Sequence, residues 1–289
     1  MQLLNKWPIP SLFKSSKRER PKAAPWLHVT LWPSFPHFNF FAHDERLAGI
    51  RLNSAMMDGA ELDLELDKVK ALIDARRYSS RLDKPELYFD LKGRQLRIRK
   101  VYAYPDHLEI DLNHPIEVET PTPVLFKAGA DDALLLKVKN GTHLVFDGGP
   151  EYMVKEGESI CIRHPSLKVN GPIFLDYEIE KIKKVVAAGF THYYLSYVEG
   201  YEEIDELRSY IGPHAELILK IETQKGLAFV DSWHPDLSHA KGGFPHTRLM
   251  AARGDLFVEL EKPHEILAGV KKIIAKDPNA LVGSRLLLS

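Results

Sequence analysis

The sequence of 289 residues contains a single cysteine, Cys161, which excludes an intramolecular disulfide and any metal cluster built from several cysteines. It lacks an apolar run near the ~18 residues that a membrane-spanning helix needs, and it lacks a signal-peptide pattern. An excess of one charge is also missing, because 39 Lys and Arg residues face 40 Asp and Glu residues. We therefore expect a cytoplasmic protein without a nucleic-acid or membrane partner, in which any anion site is built locally.

The apolar residues that are present make up 44% of the chain and follow a regular pattern. From Pro25 onward, short apolar runs alternate with segments of helical period, which is typical of parallel strands joined by crossover helices. The pattern predicts strands at 27–31, 49–52, 86–90, 191–198, 216–222, 248–255 and 280–284, and helices at 62–77, 177–188, 201–210, 224–230 and 264–276. We therefore predict an α/β fold, a (β/α) barrel of the TIM type.

Seven predicted strands leave this barrel incomplete at its eighth strand. An open barrel exposes a sheet edge. We expect either a longer natural chain, direct closure between the first and seventh strands, or a homo-oligomer or partner protein that covers the gap. Residues 1–24, which include a basic run, are predicted to form a flexible arm ahead of the fold.

The alternation of strand and helix patterns is interrupted at residues 100–172. Short alternating apolar runs are punctuated there by Asn140-Gly141 and Asp147-Gly-Gly149, which are typical hairpin turns. We predict a small all-β lid domain inserted between two barrel segments, 25–99 and 173–289.

Two charged motifs end neighbouring predicted strands. Lys220 and Glu222 are two positions apart, so the strand period points both side chains to one face. Arg253-Gly-Asp255 repeats this arrangement on the next strand, where Gly254 would let backbone N–H groups approach a ligand. Two carboxylates at the strand ends suit Mg²⁺ or Mn²⁺, and the two cations would face an anionic ligand. Each motif alone would more often be a structural ion pair, but together they favour a metal-dependent phosphate or enolate site.

These motifs resemble those of the pyruvate kinase family. The resemblance is strongest in residues 217–226, with their lysine-isoleucine-glutamate strand, and in residues 250–259 around the arginine-glycine-aspartate motif. Residues 51–53 resemble the arginine-leucine-asparagine of the family's second strand, and residues 89–97 resemble its aspartate-threonine-lysine-glycine segment. The resemblance covers roughly residues 27–288, and it includes the position at which the family inserts its mobile lid.

The resemblance implies roles for individual residues. Glu222 and Asp255 would hold Mg²⁺, Lys220 would stabilise the transferring phosphoryl group and the enolate, and Arg51 would contact the phosphate. The backbone amides of Gly254 and Asp255, together with Arg253, would hold the substrate carboxylate, and Ser284 would lie near the enolate carbon. Pro33 and Arg97 would lie near the nucleotide. Ser196 is a further candidate to line the pocket.

The departures from the family pattern lie mainly on the nucleotide side. Asn53 and Asp90 match two ligands of the family's potassium site, but Ala55 and Leu91 replace its hydroxyl groups, which argues against bound K⁺. Met56 replaces a histidine near the nucleotide, and the return from the lid is shorter than in the family.

Three functions remain open from the sequence. The first is Mg²⁺-dependent phosphoryl transfer between phosphoenolpyruvate and a nucleoside diphosphate such as ADP. The second is a metal-dependent lyase or aldolase that acts on a 2-oxo acid through an enolate. The third is a non-catalytic relative that binds a ligand or a partner protein.

Overall fold

The computed structural model describes residues 27–42, 44, 46–54, 62–70, 85–234, 246–260, 262 and 264–283. The predicted arm at 1–24 and the candidate Ser284 lie outside these residues. The part of the helix predicted at 62–77 that follows residue 70 does so as well. Residues 62–70 form the helix α2.

A curled parallel sheet of seven strands forms one half of the molecule, so the predicted number of strands is confirmed. Its strands are β1 (Leu27–Thr30), β2 (Leu47–Asn53), β3 (Glu86–Leu91), β11 (His192–Leu195), β12 (Glu216–Ile221), β13 (Thr247–Ala252) and β14 (Leu281–Gly283). They lie side by side in this order. A curled parallel sheet with strands in chain order is consistent with a partial barrel.

The two faces of this sheet have different compositions because side chains alternate along each strand. On β12, Leu217, Leu219 and Ile221 join the large hydrophobic core. Ile218 belongs to a separate small cluster on the other face, together with Tyr88 and Tyr194. The charged residues of interest share the face of this small cluster.

Helices cover the outer face of the sheet. They are α1 (Phe38–Phe41), α2, α3 (Asp176–Ala187), α4 (Tyr201–Ile211), α5 (Gln224–Ser232), α6 (Arg253–Glu259) and α7 (Glu265–Lys276). Predicted helices therefore occur where expected, with bounds that differ by a few residues. Gly189 follows α3 with φ of 91°, the left-handed conformation that commonly ends a helix.

The segment between β3 and α3 forms an antiparallel sheet with its own hydrophobic core. This sheet contains β4 (Ile98–Ala103), β5 (Leu108–Leu112), β7 (Thr122–Phe126), β8 (Asp131–Lys139) and β9 (His143–Asp147), and the short strands β6 (Ile116–Glu117) and β10 (Lys168–Val169) pair beside it. The predicted β insertion is thus present as secondary structure. Its role as a lid stays a prediction.

Two predicted strands were too long. The strand predicted at 191–198 ends at Leu195, because Tyr197 adopts a left-handed backbone with φ of 54°. The strand predicted at 248–255 ends at Ala252, because α6 begins at Arg253 without an intervening loop.

The two outermost strands of the sheet, β1 and β14, do not pair with each other among the described residues. The direct closure that we considered from the sequence is therefore absent from this part of the chain. None of the described helices combines the length and the apolar character that crossing a membrane requires.

Candidate functional site

The candidate site is organised around Asp90, the fifth residue of β3. Its carboxylate is completely buried. Oδ2 accepts hydrogen bonds from Arg51 Nε at 2.8 Å and from Lys92 Nζ at 2.9 Å, and Lys220 Nζ lies 3.8 Å from Oδ1. Burial alone would raise the pKa of Asp90, but Lys220, Lys92 and Arg51 hold this pKa well below its usual range.

Ser196 connects this carboxylate to Lys220. Lys220 Nζ donates to Ser196 Oγ at 2.8 Å, and Ser196 Oγ donates to Asp90 Oδ1 at 3.3 Å. Parallel pairing explains the arrangement, since β11 lies between β3 and β12 and carries Ser196 just beyond its end. Burial lowers the pKa of Lys220, but Asp90 and Glu222 outweigh this effect and raise it, so the ammonium group stays charged.

Glu222 lies directly beyond β12 and is completely buried. Oε2 accepts a hydrogen bond from the backbone N–H of Tyr197 at 2.9 Å. Oε1 forms an ion pair with Lys220 Nζ at 2.9 Å. Burial and the neighbouring Asp255 raise the pKa of Glu222, while Lys220 opposes them.

Lys220 and Glu222 line one cavity of about 910 Å³, together with Arg51 and Asp255. The prediction that Lys220 and Glu222 face the same side is therefore confirmed, and Ile221 packs in the core on the opposite face. The cavity opens between the edge strands β1 and β14, since residues of both strands line it.

The chemistry of these donors fits a hard divalent cation. Oε1 of Glu222 is a buried carboxylate oxygen paired with Lys220, and the carboxylate of Asp255 lines the same cavity. No group of three or more His, Cys, Asp or Glu side chains suited to a metal ion occurs among the described residues. Mg²⁺ nevertheless needs only one or two protein carboxylates, because waters and substrate oxygens supply its other ligands.

Arg253 and Asp255 do not share a face in the way that we predicted. Both belong to the first turn of α6, where each residue rotates by about 100° around the helix axis rather than alternating by 180°. Asp255 lines the cavity of Lys220, whereas Arg253 is not among its lining residues. Gly254 lies between them in the same turn, where backbone N–H groups have no acceptor within the helix.

The residues expected near a nucleotide lie elsewhere. Arg97 donates to Gln95 Oε1 and to the backbone carbonyl of Gly157, and it lines a separate crevice of about 180 Å³ with Lys92. Pro33 follows β1 and is not among the residues that line either space.

The two residues proposed for a monovalent cation are neighbours, since Asn53 pairs with Asp90 in the register of β2 and β3. Two positive groups already donate to the Asp90 carboxylate and a third lies close by. A monovalent cation at Asp90 would therefore have to compete with the positive charges of Arg51, Lys92 and Lys220.

Two important contributors were missed in the sequence. Lys92 forms an ion pair with Asp90. The two residues are two positions apart, and this spacing could have indicated from the sequence that their side chains lie on the same face. Burial lowers the pKa of Lys92, and Asp90 opposes the shift. Tyr197 contributes its backbone N–H, which no side-chain motif reveals.

Comparison with known proteins supports a distant relationship only. No protein-family model matches the chain. The chain is 27% identical over 231 residues to the pyruvate kinase of Methanocaldococcus jannaschii, and the match covers 70% of this chain and 49% of that protein. The chain thus matches about half the length of this curated relative. The similarity suggests a distant pyruvate kinase-like relationship.

Proposed function

We propose that the chain catalyses pyruvate-kinase-like phosphoryl transfer between phosphoenolpyruvate and a nucleoside diphosphate, with Mg²⁺ or Mn²⁺ as its metal. One observation carries this proposal: Arg51, Lys220, Glu222 and Asp255 line a single cavity beside the carboxyl ends of parallel strands. Ligands of open α/β sheets and of barrels bind at these ends. The distant similarity to a pyruvate kinase supports the same assignment.

The proposed metal ligands are the carboxylates of Glu222 and Asp255. When bound there, the metal would supply positive charge to the phosphoryl oxygens and to the enolate oxygen. Buried Glu222 is positioned for this task by the backbone N–H of Tyr197. Asp255 enters from the first turn of α6 and adds the second carboxylate.

The protein cations would complete the charge stabilisation. Lys220 is held by Ser196 and lies between the carboxylates of Asp90 and Glu222, so its ammonium group is charged before substrate arrives. A preorganised cation stabilises developing enolate charge without reorganisation during the reaction. Arg51 is tied to Asp90 and lines the cavity, which suits contact with a phosphate, and the amides of Gly254 and Asp255 would receive the substrate carboxylate.

A coupled assay with phosphoenolpyruvate, ADP and Mg²⁺ tests this function. We expect turnover by the wild type and a loss of at least about 100-fold in Glu222→Gln, since this change removes one carboxylate of the proposed metal site. Glu180→Gln is the matched control, because Glu180 forms an exposed pair with Lys183 on α3. Wild-type turnover no higher than that of Glu222→Gln would reject phosphoryl transfer.

A second candidate function is a lyase or aldolase that handles a 2-oxo acid through the same enolate. Arg97 was expected near the nucleotide, but the crevice that it lines has a volume of only about 180 Å³. Small-molecule sites usually have about 300–1,000 Å³. The small size of this crevice therefore favours a reaction that needs no nucleotide. Exchange of the methyl protons of pyruvate with deuterium, followed by NMR without nucleotide, would reveal enolate formation. Exchange without kinase turnover would favour the lyase.

Binding of oxalate separates both enzymes from a non-catalytic relative, because oxalate mimics the pyruvate enolate. Calorimetry should show oxalate binding that requires Mg²⁺ and disappears in Glu222→Gln. If oxalate does not bind in the presence of Mg²⁺, both proposed enzymatic functions are wrong.

A further inference from the structure

A second crevice, of about 610 Å³, lies where the inserted sheet meets the barrel half, and it shares no lining residue with the cavity of Lys220. Leu96, Ile160 and Ile162 supply apolar walls from the inserted segment, and Thr223 and Ala228 line the barrel side. Its volume falls in the range of small-molecule sites. The proposed function makes no use of this space.

Three carboxylates line this crevice. They belong to Glu199, to Glu203 in the first turn of α4, and to Glu259 at the end of α6. Glu203 is only 5% exposed, and its Oε2 is buried without a hydrogen-bond partner among the described residues. The nearest cation is Arg94, whose Nη1 lies 3.8 Å from Oε1 of Glu203, too far for a hydrogen bond.

Four basic side chains, Arg94, Arg163, Lys168 and Lys225, also line the crevice, and three of them donate to backbone carbonyl groups. Lys225 Nζ donates to Leu167 O at 2.9 Å, and Arg163 Nε donates to the carbonyl of Val258. Both bonds join the inserted segment to the barrel half. Oε2 of Glu203 can therefore still accept a hydrogen bond, and a positively charged donor could supply it.

Arg94 adds a second requirement. Its Nη2 donates to Gly171 O at 3.3 Å, but its Nε is buried and has no partner among the described residues. An acceptor atom near Glu203 would satisfy this donor. A hydroxyl group attached to an amine meets both needs at once.

The electrostatics of the carboxylates agree with this geometry. Burial raises the pKa of Glu259 to about 7, and Glu199 adds to the shift. Burial also raises the pKa of Glu203, while backbone N–H groups and Arg94 oppose this shift and Glu199 adds to it. These carboxylates are thus poorly solvated, and a cation bound beside them favours their ionised form.

We propose that this crevice binds a small organic cation, an amine that carries a hydroxyl group. Its ammonium group would lie among Glu199, Glu203 and Glu259, its hydroxyl would face Arg94, and its carbon chain would pack on Leu96 and the two isoleucines. A metal ion is the less suitable occupant. Among the described residues, no three or more His, Cys, Asp or Glu side chains are arranged to hold one, and this includes the three carboxylates of the crevice.

Ligand-observed NMR and thermal unfolding with 4-aminobutan-1-ol test the proposal. Butane-1,4-diol and 4-hydroxybutyrate serve as the uncharged and anionic analogues of the same length. We expect saturable binding of the amine and a rise in melting temperature, with neither effect from the two analogues. Absence of saturable amine binding, or equal binding of all three compounds, would overturn the assignment.

Glu203→Gln keeps the size of the side chain and removes its charge, and we expect it to weaken amine binding by at least about tenfold, equivalent to about 1.4 kcal/mol. Glu206→Gln, one turn further along α4 and outside the crevice, should bind as the wild type does. If Glu203→Gln fails to fold, Glu259→Gln tests the same charge from α6. Unchanged amine binding in a folded variant of either kind would reject the carboxylate site.

Discussion

The backbone N–H of Tyr197 donates to Glu222 Oε2 at 2.9 Å, and Tyr197 adopts φ of 54° while doing so. A left-handed conformation is unfavourable for a residue with a side chain, so the surrounding contacts must hold it in place. The same residue lines the crevice of Glu203. Tyr197 therefore contacts both proposed ligand sites, one through its backbone and the other through its position in the wall.

Removing the charge of Asp90 should strongly destabilise the fold. Asp90→Asn would leave Arg51, Lys92 and Lys220 close together without their common anion. Loss of one partner from a buried ion pair typically costs about 3–5 kcal/mol. We expect a fall of this size in the free energy of unfolding, measured by urea denaturation with circular dichroism.

The control for this change is Asp63→Asn. Asp63 pairs with Lys184 at 2.8 Å, but its side chain is 58% exposed. An exposed pair contributes only about 0–1 kcal/mol. Equal losses of stability in the two variants would contradict the central role that we assign to Asp90.

Potassium should have no specific effect on the wild type, because protein cations already surround Asp90. We expect the same melting temperature in potassium chloride and in tetramethylammonium chloride at equal ionic strength. Lys92→Met removes the ammonium group that donates to Asp90 Oδ2, so this variant should be selectively stabilised by potassium. A specific potassium stabilisation of the wild type would show that the protein cations do not replace the ion.

His28 should make stability depend on acid pH. Burial, followed by Arg248 and His192, lowers the pKa of His28 from 6.5 to about 4. Between these two values the unfolded chain binds more protons than the folded chain, so stability rises with pH across this window. The contribution lost between pH 7 and pH 4 is up to about 3 kcal/mol.

The measurement is the free energy of unfolding of wild type and His28→Asn at several pH values from 4 to 7. Glu178, whose pKa burial raises to about 7, acts in the opposite direction but is present in both proteins. The difference between the two curves therefore isolates His28. Parallel curves would mean that His28 titrates normally in the folded protein.

Gly226→Ala should destabilise the start of α5. An added Cβ would lie 2.7 Å from the carbonyl oxygen of Val198, and this backbone atom has little freedom to move. Overpacking of this kind costs about 1–3 kcal/mol. A lower midpoint of thermal unfolding is the expected result.

A second glycine supplies the comparison. Gly269 lies inside α7, and its added Cβ would lie 3.3 Å from Cδ1 of Leu227, the end of a flexible side chain. Replacing a helical glycine by alanine gains up to about 1 kcal/mol of helix propensity. We expect Gly269→Ala to be neutral or stabilising, and a loss as large as that of Gly226→Ala would contradict the close approach at Val198.

The sequence predicts those features of the fold that follow from local periodicity. The apolar run within 216–222 predicted the strand, and the two-residue period of a strand predicted the common orientation of Lys220 and Glu222. The error at Arg253 also has a local reason. No glycine, proline or loop separates β13 from α6, and the acidic Asp255 was the available indication of a helix start.

Other parts of the site depend on contacts between distant segments. Asp90 and Lys220 lie in two strands and Ser196 directly follows a third, so their hydrogen bonds follow from sheet order and register rather than from any one motif. The conformation of Tyr197 depends in the same way on the carboxylate that its N–H meets. Such contacts are determined by tertiary packing, which periodicity alone does not specify.

The pairing of β3 with β11 has a consequence for folding. Leu91 pairs with Leu195, although roughly 100 residues lie between them. Closing a disordered loop of this length costs about 4 kcal/mol of entropy, beyond a constant. The bridge between Arg97 and Ser159 shortens the loop once the inserted sheet has formed, but the saving is less than about 1 kcal/mol, because the cost grows logarithmically. Loop entropy therefore imposes no fixed order in which the two halves must fold.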